Sequence, residues 1–264
     1  MMIILVFVFL IFLCWGSFLN VVAYRSISDV PFLKKRSFCP SCEHFIEWFY
    51  NIPVFSWFFL KGRCQYCGAR ISILYPLIEI LTAVIMTGLF VKIFMLHGFY
   101  FFNLKTIFSF FSYFIFFSAL LVATRTDFQA LVIPQIFSLW LVPFGMIFAY
   151  LGFLKINFMQ SFIGAIFGYA ILWIVAVVFK YITKKEGMGV GDMELLSLIG
   201  AFLGPFCVWV TIFIASVSGL LFATSCILIT KKKGMIKIPL GPFLSLGAVI
   251  YFFFDKWCIW FLFK

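Results

Sequence analysis

Met1–Val22 reads MMIILVFVFLIFLCWGSFLNVV, apolar except for Ser17 and Asn20, and the basic residues that follow it are Arg25, Lys34, Lys35 and Arg36. About 20 consecutive apolar residues suffice to cross a bilayer. A secretory signal carries its positive charge ahead of the apolar core, and here the charge comes after it. The stretch therefore predicts an uncleaved first membrane helix, with its N-terminus outside and its C-terminus in the cytoplasm.

The rest of the chain extends that reading. Of its 264 residues 65% are hydrophobic and only 11% charged, whereas soluble domains run at roughly 45–50% and 25%. Further apolar stretches lie at about 76–96, 104–123, 131–152, 159–180, 193–204, 206–230 and 238–262. The expectation is an all-α polytopic membrane protein of about eight transmembrane helices, with a polar loop after the first. The implied divisions are a first helix at 1–22, a cytoplasmic loop at 23–75 and a membrane domain at 76–264. The stretch at 193–204 is short, about 18 Å of helix against a core of about 30 Å, and reads as a half-span broken around Gly200, Gly204 and Pro205. The 41 phenylalanines read as lipid-facing filler.

Charge gives the orientation. With eight crossings, fifteen of the twenty basic residues fall in cytoplasmic segments: Arg25 to Arg70, Arg125, Lys180 to Lys185, and Lys231 to Lys237. Lys92, Lys105, Lys155, Lys256 and Lys264 stay outside. That asymmetry is the one cytoplasmic loops carry, and it accounts for the net charge of +11 without a nucleic-acid partner. Both termini then lie outside.

The polar loop contains Cys39-Pro40-Ser41-Cys42 and Cys64-Gln65-Tyr66-Cys67. Two Cys-x-x-Cys knuckles can place four thiolates around one zinc ion, a closed shell that makes the metal structural. In a reducing cytoplasm zinc is favoured over disulfides; a redox or unmetallated role is the alternative. Cys14, Cys207, Cys226 and Cys258 read as small buried hydrophobes. His44 reads as a surface residue, and His97 has no partner in view. With only these two histidines, a Ser-His or Cys-His nucleophile is hard to assemble.

Acids are scarce, nine in all, and two sit at the mouths of apolar segments. Asp127 precedes Phe128-Gln129-Ala130-Leu131-Val132-Ile133-Pro134, and Asp192 closes Gly187-Met188-Gly189-Val190-Gly191-Asp192. Either alone could be a helix N-cap, and Arg125 could pair with Asp127. The charge count puts both on the cytoplasmic side. Two close carboxylates at a dry edge share a proton, the state in which one takes a proton from water and the other gives one to a scissile carbonyl. Gly187, Gly189 and Gly191 would permit unusual backbone angles and let a substrate lie close to the main chain.

These residues resemble those of the bacterial type IV prepilin peptidases, membrane aspartic proteases of the Gly-x-Gly-Asp kind. The resemblance is carried in order by Gly16-Ser17-Phe18-Leu19-Asn20-Val21-Val22 with Arg25, the two cysteine knuckles flanking Ile52-Pro53-Val54, and Tyr75-Pro76-Leu77-Ile78-Glu79. It continues through Asp127 with Ile133-Pro134, Gly189-Val190-Gly191-Asp192 and Pro239-Leu240-Gly241-Pro242-Phe243-Leu244. It implies catalytic roles for Asp127 and Asp192; the residues themselves lead to the expectation of substrate contacts at Gly189 and Gly191 and of zinc on Cys39, Cys42, Cys64 and Cys67. It further implies an inner-membrane enzyme, its site facing the cytoplasm, that cuts the basic leader from prepilins or pseudopilins, usually between glycine and phenylalanine. Methylation of the new N-terminus from S-adenosylmethionine is implied as well. Two positions depart from the family. Gln135 stands where an acid or amide is frequent, and Glu194 where many members have lysine. A transporter or channel using the paired acids for ions explains the spans but not the knuckles or the glycines. A docking module with capping aspartates is the other alternative.

Overall fold

The length and apolarity of the chain's segments dictate helices, because a backbone in lipid must satisfy its own hydrogen bonds. The computed structural model describes residues 2–28, 37–95, 103–185, 187–230 and 238–262, with backbone only at 230 and 259–262. The charges expected at Lys34, Lys35, Arg36, Lys231, Lys232, Lys233, Lys237 and Lys264 lie outside the described residues, as does His97. Among the described residues there are helices and two isolated β-bridges, and no strand. The chain divides into two units, Met1–Phe101 and Phe102–Lys264.

In the first unit α1 (Met2–Ile27) and α3 (Leu74–Phe90, continued by a π-turn over Val91–Met95) pack together, with the short α2 (Phe55–Phe59) between them in sequence. Gly16 of α1 lets the helices touch: a Cβ there would come within 2.7 Å of the Glu79 Cα. One turn on, the buried Asn20 donates to the Tyr75 carbonyl at 3.1 Å. Two motifs some sixty residues apart in sequence thus meet at one helix crossing.

The second unit holds α4 (Leu104–Ala130), α5 (Val142–Tyr150), α6 (Phe158–Thr183), α7 (Val190–Leu203), α8 (Pro205–Thr230) and α9 (Gly241–Leu262). α6 and α7 approach through small residues, as helices in lipid do when hydrophobic driving force is absent. Gly164 lies against Gly200, and Gly168 against the Leu196 carbonyl. Ser161 donates to Ala201 O at 2.6 Å and Ser197 to Ala165 O at 2.9 Å. Elsewhere the interior is aromatic. Phe116 of α4 stacks on Phe202 of α7 at 4.8 Å, and Phe117 meets Phe252 of α9 at 5.0 Å. These phenylalanines are fully or nearly fully buried, so filler facing lipid is the wrong account of this subset.

Among the described residues five helices are long and apolar enough to cross a membrane: Met2–Ile27, Leu74–Met95, Leu104–Ala130, Phe158–Thr183 and Pro205–Ile229. Eight crossings are therefore not established. The expected span at 131–152 is interrupted: Pro134 opens a 3-10 turn over Gln135–Phe137, Ser138 takes φ −121° and ψ −86°, and α5 starts only at Val142. Proline removes a donor and its ring obstructs a continuous helix. α7 has 14 residues, about 21 Å, and α9 bends at Phe254.

Helix direction gives this unit two ends. At one, the α4 C-terminus meets the starts of α7 and α9 through Asp127, Ile133, Gly191 and Gly241. At the other, Lys155 N donates to Tyr113 Oη at 3.1 Å and Lys155 Nζ lies 3.4 Å from Asp255.

Candidate active site

Asp127 lies inside helix α4, which continues to Ala130 and ends with Leu131 in the left-handed region at φ 55°. It therefore cannot cap the segment after it, as its sequence position allows. It serves another element instead: Asp127 Oδ2 accepts the Gly241 N–H at 2.8 Å. That donor is one of the unpaired amides at the start of α9. Gly241 is required by the fit, since a Cβ there would stand 2.9 Å from the same oxygen. Arg125, buried, donates to Gln129 at 2.7 Å.

Asp192 is the third residue of α7, whose N-cap is Gly189, and its carboxyl reaches back to accept the Gly189 N–H. That bond satisfies one amide at the start of α7, and the same carboxyl also feels a second acid. The Asp192 carboxyl is pushed up to about 7, by burial first and by the charge of Asp127 second, with the Gly189 N–H pulling the other way. The two aspartates are thus close enough to act on each other through space.

Ile133 packs the gap between their helices. A Cβ on Gly191 would come 3.0 Å from the Ile133 Cβ, and one on Gly241 3.1 Å from its Cδ1. This close approach explains Gly191. Unusual backbone angles do not: the glycines in the left-handed region are Gly62, Gly68, Gly152 and Gly204, and neither Gly187, Gly189 nor Gly191 is among them. Gly189, next to open space, has Asp192 Oδ2 at 3.6 Å from where its Cβ would be.

Gln135 and Glu194, set apart from the resemblance by their sequence, are bonded to each other. Gln135 Nε2 donates to Glu194 Oε1 at 3.0 Å, and Ser138 Oγ donates to Glu194 Oε2 at 2.9 Å. Glu194 and Ser138 are buried. The carboxylate thereby fastens the first turn of α7 to the segment after Pro134. Ser138 and Gly241 are the residues the sequence reading did not single out for this region. A glycine just after Pro239 at a helix start was a signal for the second; Ser138 carried none.

In the first unit, Cys39, Cys42, Cys64 and Cys67 bring four Sγ atoms within 4.8 Å of one another, with Cys39 and Cys67 at 3.9 Å. Sulfurs at about 2.3 Å from one tetrahedral ion stand about 3.8 Å apart, so the thiols fit a metal. The two knuckles are built alike. Cys39 N bonds to His44 O and Glu43 N to Cys39 O; Cys64 N bonds to Ala69 O and Gly68 N to Cys64 O. The fifth residue of each takes a positive φ, 71° at Gly68 and 56° at Glu43. His44 stays outside the cluster, its ring 3.9 Å from that of Tyr66. Of the other cysteines only Cys207 is buried; Cys14 is exposed.

Residues 10–93 match the family model described as the bacterial peptidase A24 N-terminal domain, and residues 114–224 that described as the type IV leader peptidase family. A prepilin leader peptidase/N-methyltransferase of Aeromonas salmonicida is 34% identical, over 97% of this chain and 92% of that protein. One from Dichelobacter nodosus is 33% identical, over 94% and 91%. The type 4 prepilin-like proteins leader peptide-processing enzyme of Escherichia coli O78:H11 is 30% identical, over 89% and 88%. No solved structure matches the chain.

Proposed function

The chain belongs to the type IV leader peptidase family, and from that membership we propose that it removes the leader from prepilins or pseudopilins and N-methylates the new amino terminus. The observation that supports the first half is that the Asp192 carboxyl feels the charge of Asp127 where the α4 C-terminus meets the starts of α7 and α9. With one carboxyl holding a proton and the other ionised, the pair activates a water between them. The ionised member takes the water's proton, the hydroxyl adds to the scissile carbonyl, and the neutral member protonates the developing oxyanion. Collapse of the tetrahedral intermediate then releases the leader and the new amine.

The Gly241 N–H bond fixes one Asp127 oxygen, which limits the carboxylate's rotation. The absence of a side chain at Gly189 leaves main chain for an extended leader to lie against beside Asp192, whereas the space at Gly191 is taken by Ile133. Methyl transfer moves a methyl group from the sulfonium of S-adenosylmethionine to the amine, which loses a proton. Zinc on Cys39, Cys42, Cys64 and Cys67 would brace the loop and take no part in either step, since four thiolates complete its coordination.

The charge distribution supports a bacterial inner-membrane location with the aspartates on the cytoplasmic side, and the divisions 1–22, 23–75 and 76–264. Ion transport is a weaker reading, because both acids sit at helix ends and transporter sites lie near the midplane. The test is incubation of membranes holding the full chain with a prepilin peptide, followed by weighing the products. A mass loss marks cleavage and a gain of one methyl marks the second reaction. Asp127→Asn and Asp192→Asn should each abolish cleavage while the protein stays inserted. Near-normal cleavage by either would sink the assignment.

A further inference from the structure

The cysteine loop carries an aromatic surface that neither the peptidase nor the methyl-transfer reading uses. Trp48, Phe49, Ile52, Phe55, Phe58 and Phe59 are all exposed, Trp48 at 81% and Phe59 at 83%. Large apolar side chains gathered on one loop mark an interaction surface. They also form one piece: Ser56 Oγ donates to Phe49 O at 3.1 Å, tying the 3-10 turn over Trp48–Asn51 to α2.

Its depth is set by a single buried acid. Val54, the residue before α2, donates its N–H to Glu79 Oε2 at 2.7 Å. Glu79 is buried, with the Ser17 side chain as a second partner. It lies five residues into α3, about 7.5 Å along the axis. The span Leu74–Met95 has 22 residues, about 33 Å, against a hydrocarbon core of about 30 Å. The start of α2 is therefore held where the hydrocarbon begins, level with the first turns of a membrane helix.

Outward-facing residues on that helix, Ile73, Leu77, Ile80, Leu81 and Val84, are exposed and apolar, so the aromatic surface continues a lipid-facing exterior. Lys61 and Arg63 follow α2 directly and are exposed, with Arg70 further on and Glu43 and Glu47 as the opposing acids. Aromatic rings beside basic groups are the composition of a membrane interface.

We propose that Trp48–Phe59 is an interfacial anchor, with these aromatic side chains inserted among the lipid headgroups and upper acyl chains, and Glu79 as the clamp that sets its depth. The occupant of this surface is lipid, and a protein partner is the competing outcome. The inference rests on the span and the Glu79 clamp alone and does not depend on the peptidase reading.

The full chain, reconstituted in vesicles of phosphatidylethanolamine and phosphatidylglycerol, is prepared with benzoylphenylalanine in place of Phe59, Trp48 or, as reference, Val84. After irradiation each is weighed intact. Adducts of one lipid mass at Phe59 and Trp48, in yield similar to Val84, are expected. A lipid adduct at Val84 alone, or adducts at Phe59 and Trp48 that carry protein mass, overturns the proposal. Adding Glu79→Ala should lower the Phe59 lipid yield several-fold and leave that of Val84 unchanged. An unchanged Phe59 yield removes the clamp.

Discussion

At Asp192 the chemistry and the electrostatics can be tested together. Its carboxyl is pushed up to about 7 by burial and by Asp127, so at neutral pH a protonated fraction persists that an exposed aspartate would have lost near 4. As pH rises through about 7 that proton leaves and the pair carries two negative charges with nothing to donate. Leader cleavage measured against pH should therefore fall on the alkaline side with a midpoint near 7; a flat profile to pH 9 would detach the proton from the reaction. Glu194 makes a different prediction. Buried itself, it accepts from the exposed Gln135 and the buried Ser138, and a buried donor left without its acceptor costs about 1–3 kcal/mol. Glu194→Ala strands the buried Ser138 hydroxyl, while the exposed Gln135 amide turns to water, and should lower the thermal midpoint by a few degrees. Gln135→Glu, which sets two carboxylates about 3 Å apart, should do the same. Combining Gln135→Glu with Glu194→Lys should recover most of the loss, since the two sites touch and their effects are not additive.

The elements owe their shapes to small numbers of residues. In the cysteine knuckles the same backbone turn is made twice, once with Gly68 and once with Glu43 in the left-handed region. A side chain there costs up to about 1 kcal/mol relative to glycine. Glu43→Gly should therefore tighten the first knuckle, seen as slower loss of zinc to a chelator. Purified protein should carry about one zinc per chain, and Cys39→Ser or Cys64→Ser should lower it; a metal content near zero would leave the redox reading of the thiols ahead. The α6–α7 pair shows why its helices were easier to find than their packing. Apolar length announces each helix, but Gly164, Gly168 and Gly200 act by letting backbone meet backbone, and a glycine in sequence does not say which helix it faces.

For the molecule as a whole, the position of Asp127 and Asp192 at one end of the second unit agrees with the shared side inferred from charge, and which side that is remains a prediction. Single cysteines placed at exposed Lys180 and Lys185 should react with an impermeant thiol reagent only in inside-out vesicles. One placed at Lys155, at the opposite end, should react only in right-side-out ones, and the reverse pattern would invert the topology. By itself the sequence determined the helical membrane class, four thiols suited to zinc and the two acids worth pairing, because apolar length, the Cys-x-x-Cys spacing and the scarcity of carboxylates are local or compositional properties. It did not show the break inside 131–152, because that run stays apolar across the turn after Pro134. Only the tertiary structure decided that Asp127 caps α9 through Gly241, that Ile133 fills the space against Gly191, and that Glu194 is held by Gln135 and Ser138. Those contacts join residues 56 to 114 positions apart, and hydrophobicity, which is non-directional, says that such segments pack without saying which atoms meet.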